Sequence, residues 1–174
     1  MPDAPATEAE LVVVGAGAAG LYTALCAAAG GASVALISAT TLAETASYWA
    51  QGGLAAAIGP HDSRDAHLAD TERAGRGLVR RSAAEVLCDE APGRVHDLER
   101  LGVHFDADRD GTLSLGLEGG HSHRRVVHSG GSATGRRVVR QLSALAAQEP
   151  LIDVVEHAHA VGLLIADGRC VGVA

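Results

Sequence analysis

Two short stretches of the sequence carry residue types able to do chemistry. Residues 15–20, GAGAAG, follow the GxGxxG spacing, and residues 116–131, GLEGGHSHRRVVHSGG, gather three histidines, two arginines and one glutamate. The glycine spacing suits a dinucleotide. Gly15 permits a tight turn, Gly17 lets the backbone approach a pyrophosphate, and Gly20 lets a helix pack closely on a strand. The helix start at Ala18 and Ala19 would add free N–H groups and partial positive charge for the phosphates. A flexible Gly-Ala turn is the plain alternative.

The histidine-rich stretch is open to three chemistries: metal ligation, phosphate binding and the floor of a substrate pocket. On a strand His121 and His123 point the same way, because side chains alternate. No cysteine or carboxylate joins them at a recognisable ligand spacing, so no metal is expected. A structural or surface role suits the histidines, and Arg124 and Arg125 are expected to be solvated or paired with nearby carboxylates.

Both stretches need elements to hold them. Leu11 to Val14 is a β-branched run, the alanine-rich segment Ala18 to Ala29 is a strong helix former that stops at Gly30-Gly31, and Ser33 to Ile37 resumes as a strand. Together they spell a βαβ unit with parallel strands. Thr40 to Gly59 reads as a loop of small side chains. Helical patterns follow near Asp65 to Leu78 and from Ser82 to Leu101, the latter expected to break at Pro92-Gly93. Asp106 to Gly111 reads as a turn and Ala133 to Ala147 as a helix, with Ser132 or Thr134 as its N-cap. Val154 to Glu156, Ala160 to Ile165 and Cys170 to Val173 then read as strands, the last two joined at Asp167-Gly168. The expected fold class is α/β: a Rossmann-like domain with a parallel sheet, flanking helices and a β-meander over residues 10–174, preceded by a flexible tail, 1–9.

Composition narrows the function. The formal charge of −7 disfavours a nucleic-acid surface, which needs cationic patches. Cys26, Cys88 and Cys170 are far apart with no CxxC spacing, which suggests buried thiols in a reducing compartment. No charged residue stands between Leu11 and Ala43, but Gly15, Gly17, Gly20, Gly30 and Gly31 punctuate that run, so it does not read as a membrane helix. The acidic start MPDAPATEAE does not read as a secretory leader, and a cytoplasmic location without membrane association is expected. At the end of the second expected strand, Ser38-Ala39 offers a hydroxyl for a ribose but no carboxylate, which weakens NAD more than FAD.

Three separated motifs carry a resemblance: the glycine loop, Ala46-Ser47-Tyr48-Trp49-Ala50-Gln51-Gly52-Gly53-Leu54-Ala55-Ala56, and Glu118-Gly119-Gly120-His121-Ser122-His123-Arg124-Arg125. Over Glu10 to Ala174 the chain resembles the L-aspartate oxidases of the fumarate reductase and succinate dehydrogenase flavoprotein superfamily. That resemblance implies non-covalent FAD, with the pyrophosphate on Gly15, Ala16, Gly17, Ala18, Ala19 and Gly20, the ribose near Ser38 and Ala39, and adenine against the backbone of a strand at Ala160. It places the isoalloxazine beside Ala46, Ser47, Tyr48, Trp49, Ala50, Gln51, Gly52 and Gly53, where consecutive small residues would expose N–H groups to the ring. Alanine at position 46 stands where the membrane-associated relatives usually hold the histidine that bonds FAD covalently.

The resemblance also implies a role for Glu118: accepting a hydrogen bond from the α-amino group of aspartate, where relatives acting on succinate or fumarate commonly carry an apolar residue. A surface glutamate is the alternative. The implied reaction oxidises L-aspartate to iminoaspartate, with the flavin reoxidised by oxygen or fumarate. This is the first step of de novo NAD biosynthesis, in which quinolinate synthase consumes the product. A soluble fumarate reductase or succinate dehydrogenase-like flavoprotein and a non-catalytic FAD-binding module are the competing classes. The resembled enzymes are roughly three times as long by fold-level analogy. Their catalytic arginine, further substrate-binding residues, capping domain and helical domain would lie beyond Ala174, so the chain is expected to be a fragment that binds FAD weakly and does not turn over aspartate. The family commonly has Asp at the position of Ser132, where serine keeps the capping ability.

Overall fold

The computed structural model describes residues 7–174, so most of the expected tail, residues 1–6, lies outside the described residues. The described residues divide into two compact units, one running up to Trp49 and resuming over Val138–Ala174, the other Ala50–Arg137.

The first unit holds a three-stranded parallel sheet of β1 (Leu11–Val14), β2 (Val34–Ile37) and β6 (Ile152–Val155), with β2 in the middle. Leu11 pairs with Val34, and Val34 in turn with Ile152. Val34, Ala35 and Leu36 are all buried, as expected of a central parallel strand covered on both faces. Helix α1 (Ala18–Ala29) packs on the sheet through Leu21, Ala24 and Ala28, three and four residues apart on one face. Helix α4 (Thr134–Gln148), whose residues from Val138 onward belong to this unit, buries Val138, Val139, Leu142 and Ala146. Of the expected meander, β7 (Leu163–Ala166) and β8 (Arg169–Val173) form an antiparallel hairpin through Asp167 and Gly168, both at positive φ. The strand expected over Val154 to Glu156 starts two residues earlier and joins the parallel sheet as β6 instead. Among the described residues no helix is long and apolar enough to cross a membrane.

The second unit carries a small antiparallel sheet of β3 (Leu54–Ala55), β5 (Val126–Val127) and β4 (Leu115–Gly116), with β5 central. Beside it in sequence are α2 (Arg64–Gly75) and α3 (Arg81–Arg100), which pack together through Leu68, Ala84 and Cys88. Ser63 caps α2 by accepting the Ala66 N–H at 3.1 Å. The break expected at Pro92-Gly93 is absent: α3 runs through Pro92 without interruption. An interior proline costs about 3 kcal/mol, but Ala84, Cys88, Val95 and Leu98 form one continuous buried face, and burial on that scale outweighs one lost hydrogen bond. The Asp106 to Gly111 turn is present, closed by the Asp108 N–H on the Thr112 carbonyl at 2.8 Å.

Candidate functional site

In the first unit the chain turns from β1 into α1 through Gly15, whose φ of +105° is open to glycine and strained for other residues. Its N–H donates to the Ile37 carbonyl at 2.8 Å, which ties the turn to β2. Gly17 then occupies the N-cap of α1 without a side chain to satisfy the helix amides, and no acidic residue sits in the first turn. A built Cβ on Gly20 would fall on the Gly15 carbonyl oxygen, so helix and turn touch backbone to backbone. Ser47, from a short 3-10 helix over Ala46–Trp49, accepts the Ala18 N–H at 3.1 Å, and a Cβ on Gly17 would come 3.0 Å from its Oγ. The result is a glycine-lined turn in which one helix amide, that of Ala18, is held by the Ser47 hydroxyl and no acidic side chain offsets the helix dipole, which fits an anionic phosphate.

Ser38 is buried, its N–H donating to the Val155 carbonyl at 2.8 Å and its carbonyl accepting from Ala158 at 3.0 Å; Ala39 beside it is exposed. Tyr48 and Trp49 meet edge to face at 5.1 Å, and Arg140 on α4, not foreseen from the sequence, donates to the Tyr48 hydroxyl at 3.3 Å. Trp49 is 70% exposed, an unusual position for so large an apolar ring. Ala160 does not lie on a strand as expected: β7 begins only at Leu163, and Ala160 is exposed in the connection before it.

In the second unit Ala50, Gln51 and Gly52 are exposed, while Gly53 is fixed by close approach, since a Cβ there would strike the Val127 carbonyl oxygen of β5. Glu118 sits just past β4, in a loop that turns at Gly119 and Gly120, both at positive φ. That turn corrects the placement of His121 and His123, which lie in the loop and not on a strand. His121 stacks its ring edgewise on His67 at 5.5 Å, and His123 Nδ1 lies 2.9 Å from the Ser122 hydroxyl. Among the described residues no group of three or more His, Cys, Asp or Glu is arranged to hold a metal ion.

The strongest interaction of this unit joins residues that the sequence reading left separate. Arg125 is fully buried, clasping Asp62 with Nε and Nη2 at 2.9 and 2.7 Å and reaching Asp70 with Nη1 at 3.0 Å. Asp70 also accepts the Ser122 N–H and hydroxyl, each at 2.7 Å, and pairs with Arg73. Burial alone would raise the Asp70 pKa, but the two donors of Ser122 and the Arg73 guanidinium hold it well below the usual carboxylate range. Burial, and then the Arg125 charge, lowers the pKa of His67, which stays neutral at its side. No local pattern marks Arg125 as interior: Arg125, Val126 and Val127 are all buried in succession, and the carboxylates it meets are far away in sequence.

The turn after β5 is held by Asp106, whose two carboxylate oxygens accept the Gly130 and Gly131 N–H groups at 2.7 and 2.8 Å. Those bonds, Gly131 foremost, lower its pKa. Ser132 is exposed, and Thr134 is already the first residue of α4, its hydroxyl accepting the Ser129 N–H at 3.1 Å.

A family described as FAD binding domain matches residues 10–174. The L-aspartate oxidase of Mesorhizobium japonicum is 47% identical over 93% of this chain, and that of a Nostoc species 45% identical over 94%. The chain spans only 31% and 28% of those two relatives. Among solved structures, the FrdA subunit of Escherichia coli quinol fumarate reductase superposes with a TM-score of 0.90 at 29% identity, covering 96% of this chain and 29% of that one. The Mycobacterium smegmatis Sdh1 complex gives 0.87 at 33% identity, covering 95% and 30%.

Proposed function

The chain belongs to the FAD binding domain family, with FAD as its cofactor, and from that premise we propose that it is the flavin-holding part of an L-aspartate oxidase. Gly15 to Gly20 would hold the pyrophosphate, Ser38 and Ala39 the ribose, Ala160 the adenine, and Ala46 to Gly53 the isoalloxazine. When bound, FAD supplies a two-electron acceptor for oxidation of the substrate Cα–N bond to an imine. The chain's own contribution to the substrate is Glu118, whose carboxylate accepts from the α-amino group of aspartate.

The observation that carries this reading is the Glu118 side chain: 54% exposed, at the rim of a loop whose base is pinned by Arg125. A carboxylate half exposed to solvent has acceptor directions to offer an ammonium group, and succinate has none to present. Loss of such a contact leaves a polar group unpaired and costs discrimination. Oxygen or fumarate would take the electrons from the flavin, and the imine would pass to quinolinate synthase for NAD biosynthesis. A fumarate reductase-like activity is the second reading, favoured by the close superposition on the E. coli subunit.

The two readings separate in one experiment. L-Aspartate, then succinate, is added without oxygen to the full-length protein loaded with FAD. Bleaching of the flavin's visible absorbance by L-aspartate and not by succinate is expected. Bleaching by succinate alone removes the oxidase assignment, and bleaching by neither leaves an FAD-binding module.

A further inference from the structure

Glu118 is not left to wander. Its two carboxylate oxygens each lie 3.1 Å from Nε2 of His128, the residue that follows β5. The histidine's backbone is anchored, its carbonyl accepting the Asp106 N–H at 2.7 Å, and its side chain is only 21% exposed. On the other side the glutamate folds back over Gly116, where a Cβ would stand 2.6 Å from Oε1 and 3.0 Å from Cδ. Three features thus agree on one position for the carboxylate: a donor aimed between its oxygens, a floor without a side chain beneath it, and an anchored strand end behind the donor.

We propose that His128 is a positioning residue for substrate selection, holding the Glu118 carboxylate where it meets the α-amino group of an amino dicarboxylate. The inference rests on the reading of Glu118 given above. A carboxylate has about four acceptor directions, and the shared N–H of one imidazole leaves most of them open to an ammonium donor. Orienting the acceptor beforehand removes the ordering cost that a long, exposed glutamate would otherwise meet on binding. The histidine acts on affinity for substrates bearing an amino group. A dicarboxylate lacking that group has no ammonium to place on Glu118, so its affinity should be insensitive to the histidine.

The test compares His128→Gln and His128→Asn in the full-length, FAD-loaded protein. Glutamine puts an amide N–H near the position of Nε2, whereas asparagine reaches only as far as Nδ1, and both are polar and of similar size. Rapid-mixing measurement of flavin reduction separates the Kd for L-aspartate from the rate at saturation, and displacement gives the Kd for succinate. His128→Asn is expected to raise the Kd for L-aspartate about tenfold, the size of one charge-assisted hydrogen bond. The saturated rate and the succinate Kd should stay within about twofold, with His128→Gln close to the unsubstituted protein. Gly116→Ala provides an independent arm: its φ is not in the left-handed region and its clash is with the Glu118 carboxylate and no backbone atom, so it displaces the carboxylate without backbone strain and should reproduce the His128→Asn result. Should Glu118→Gln weaken L-aspartate binding while His128→Asn and Gly116→Ala do not, the positioning role is overturned and the reading of Glu118 stands. If Glu118→Gln itself leaves L-aspartate binding unchanged, the reading of Glu118 falls and the inference with it. A loss in which succinate and L-aspartate weaken together overturns the positioning role as well, because it marks general damage to the fold.

Discussion

The Gly20→Ala protein is expected to emerge from purification without flavin and with a lowered melting temperature. The added Cβ would fall on the Gly15 carbonyl oxygen, 3.0 Å from the carbonyl carbon and 3.4 Å from Val13 Cγ1. The first two are backbone atoms and cannot rotate aside. Relief requires α1 to lift away from the end of β1, yet Leu21 and Ala24, one residue and one turn further on, are fully buried against the sheet. Overpacking of this kind costs on the order of 1–3 kcal/mol, and the helix amides that face the phosphates shift with the helix. Gly93→Ala is the matched control. Gly93 is exposed on α3 with nothing within 4 Å of a built Cβ, so alanine there should leave flavin content unchanged and stabilise the helix by about 0.5–1 kcal/mol. Flavin-to-protein ratio after gel filtration and a thermal melt measure both. Full flavin content in the Gly20→Ala protein would place the cofactor elsewhere than at this turn.

The part of the fold that was legible in the sequence is the part whose partners are near in sequence. The β1, α1 and β2 segments announce themselves by glycine spacing, an alanine run and β-branched residues, and their boundaries agree with the structure to within a residue. Reading fails where the decisive partner is far away. β6 joins the parallel sheet because Ile152 pairs with Val34, a contact no local pattern announces. Pro92 marks a helix break by local rule, and the buried stripe of α3 overrides it. His121 and His123 have the spacing of a strand, but Gly119 and Gly120 at positive φ turn the chain before a strand can form. Of the candidate site, the glycine loop was legible with its turn, whereas the partner of Glu118 was not: His128 lies ten residues on, beyond β5, and becomes its neighbour only because β4 and β5 are antiparallel.

Arg125 is the extreme case of that distance effect, and its removal should carry the largest stability change in the chain. Its carboxylate partners stand 63 and 55 residues earlier, with side chains only 1% and 3% exposed. Arg125→Met preserves volume and leaves two buried carboxylates short of their cation, a situation that costs roughly 3–5 kcal/mol. Most of this falls on Asp62, which keeps the Ser63 N–H at 2.8 Å and has His123 Nδ1 at 3.9 Å, whereas Asp70 keeps both Ser122 donors and the Arg73 guanidinium. Adding Asp62→Asn to Arg125→Met removes the stranded charge and should recover part of the loss, which a merely steric role for Arg125 would not allow. Denaturant midpoints measured at pH 7 decide it. Acid provides the orthogonal reading. Because the Asp70 pKa is depressed in the fold, its contribution is fully present above the unfolded carboxylate pKa of about 4 and is lost as pH falls toward the folded value. Stability of the unsubstituted protein should therefore decline below about pH 4, and Asp70→Asn should flatten that decline. An acid limb of unchanged slope in Asp70→Asn would mean that the loop from Glu118 to Arg125 is held by packing, with its ions as bystanders.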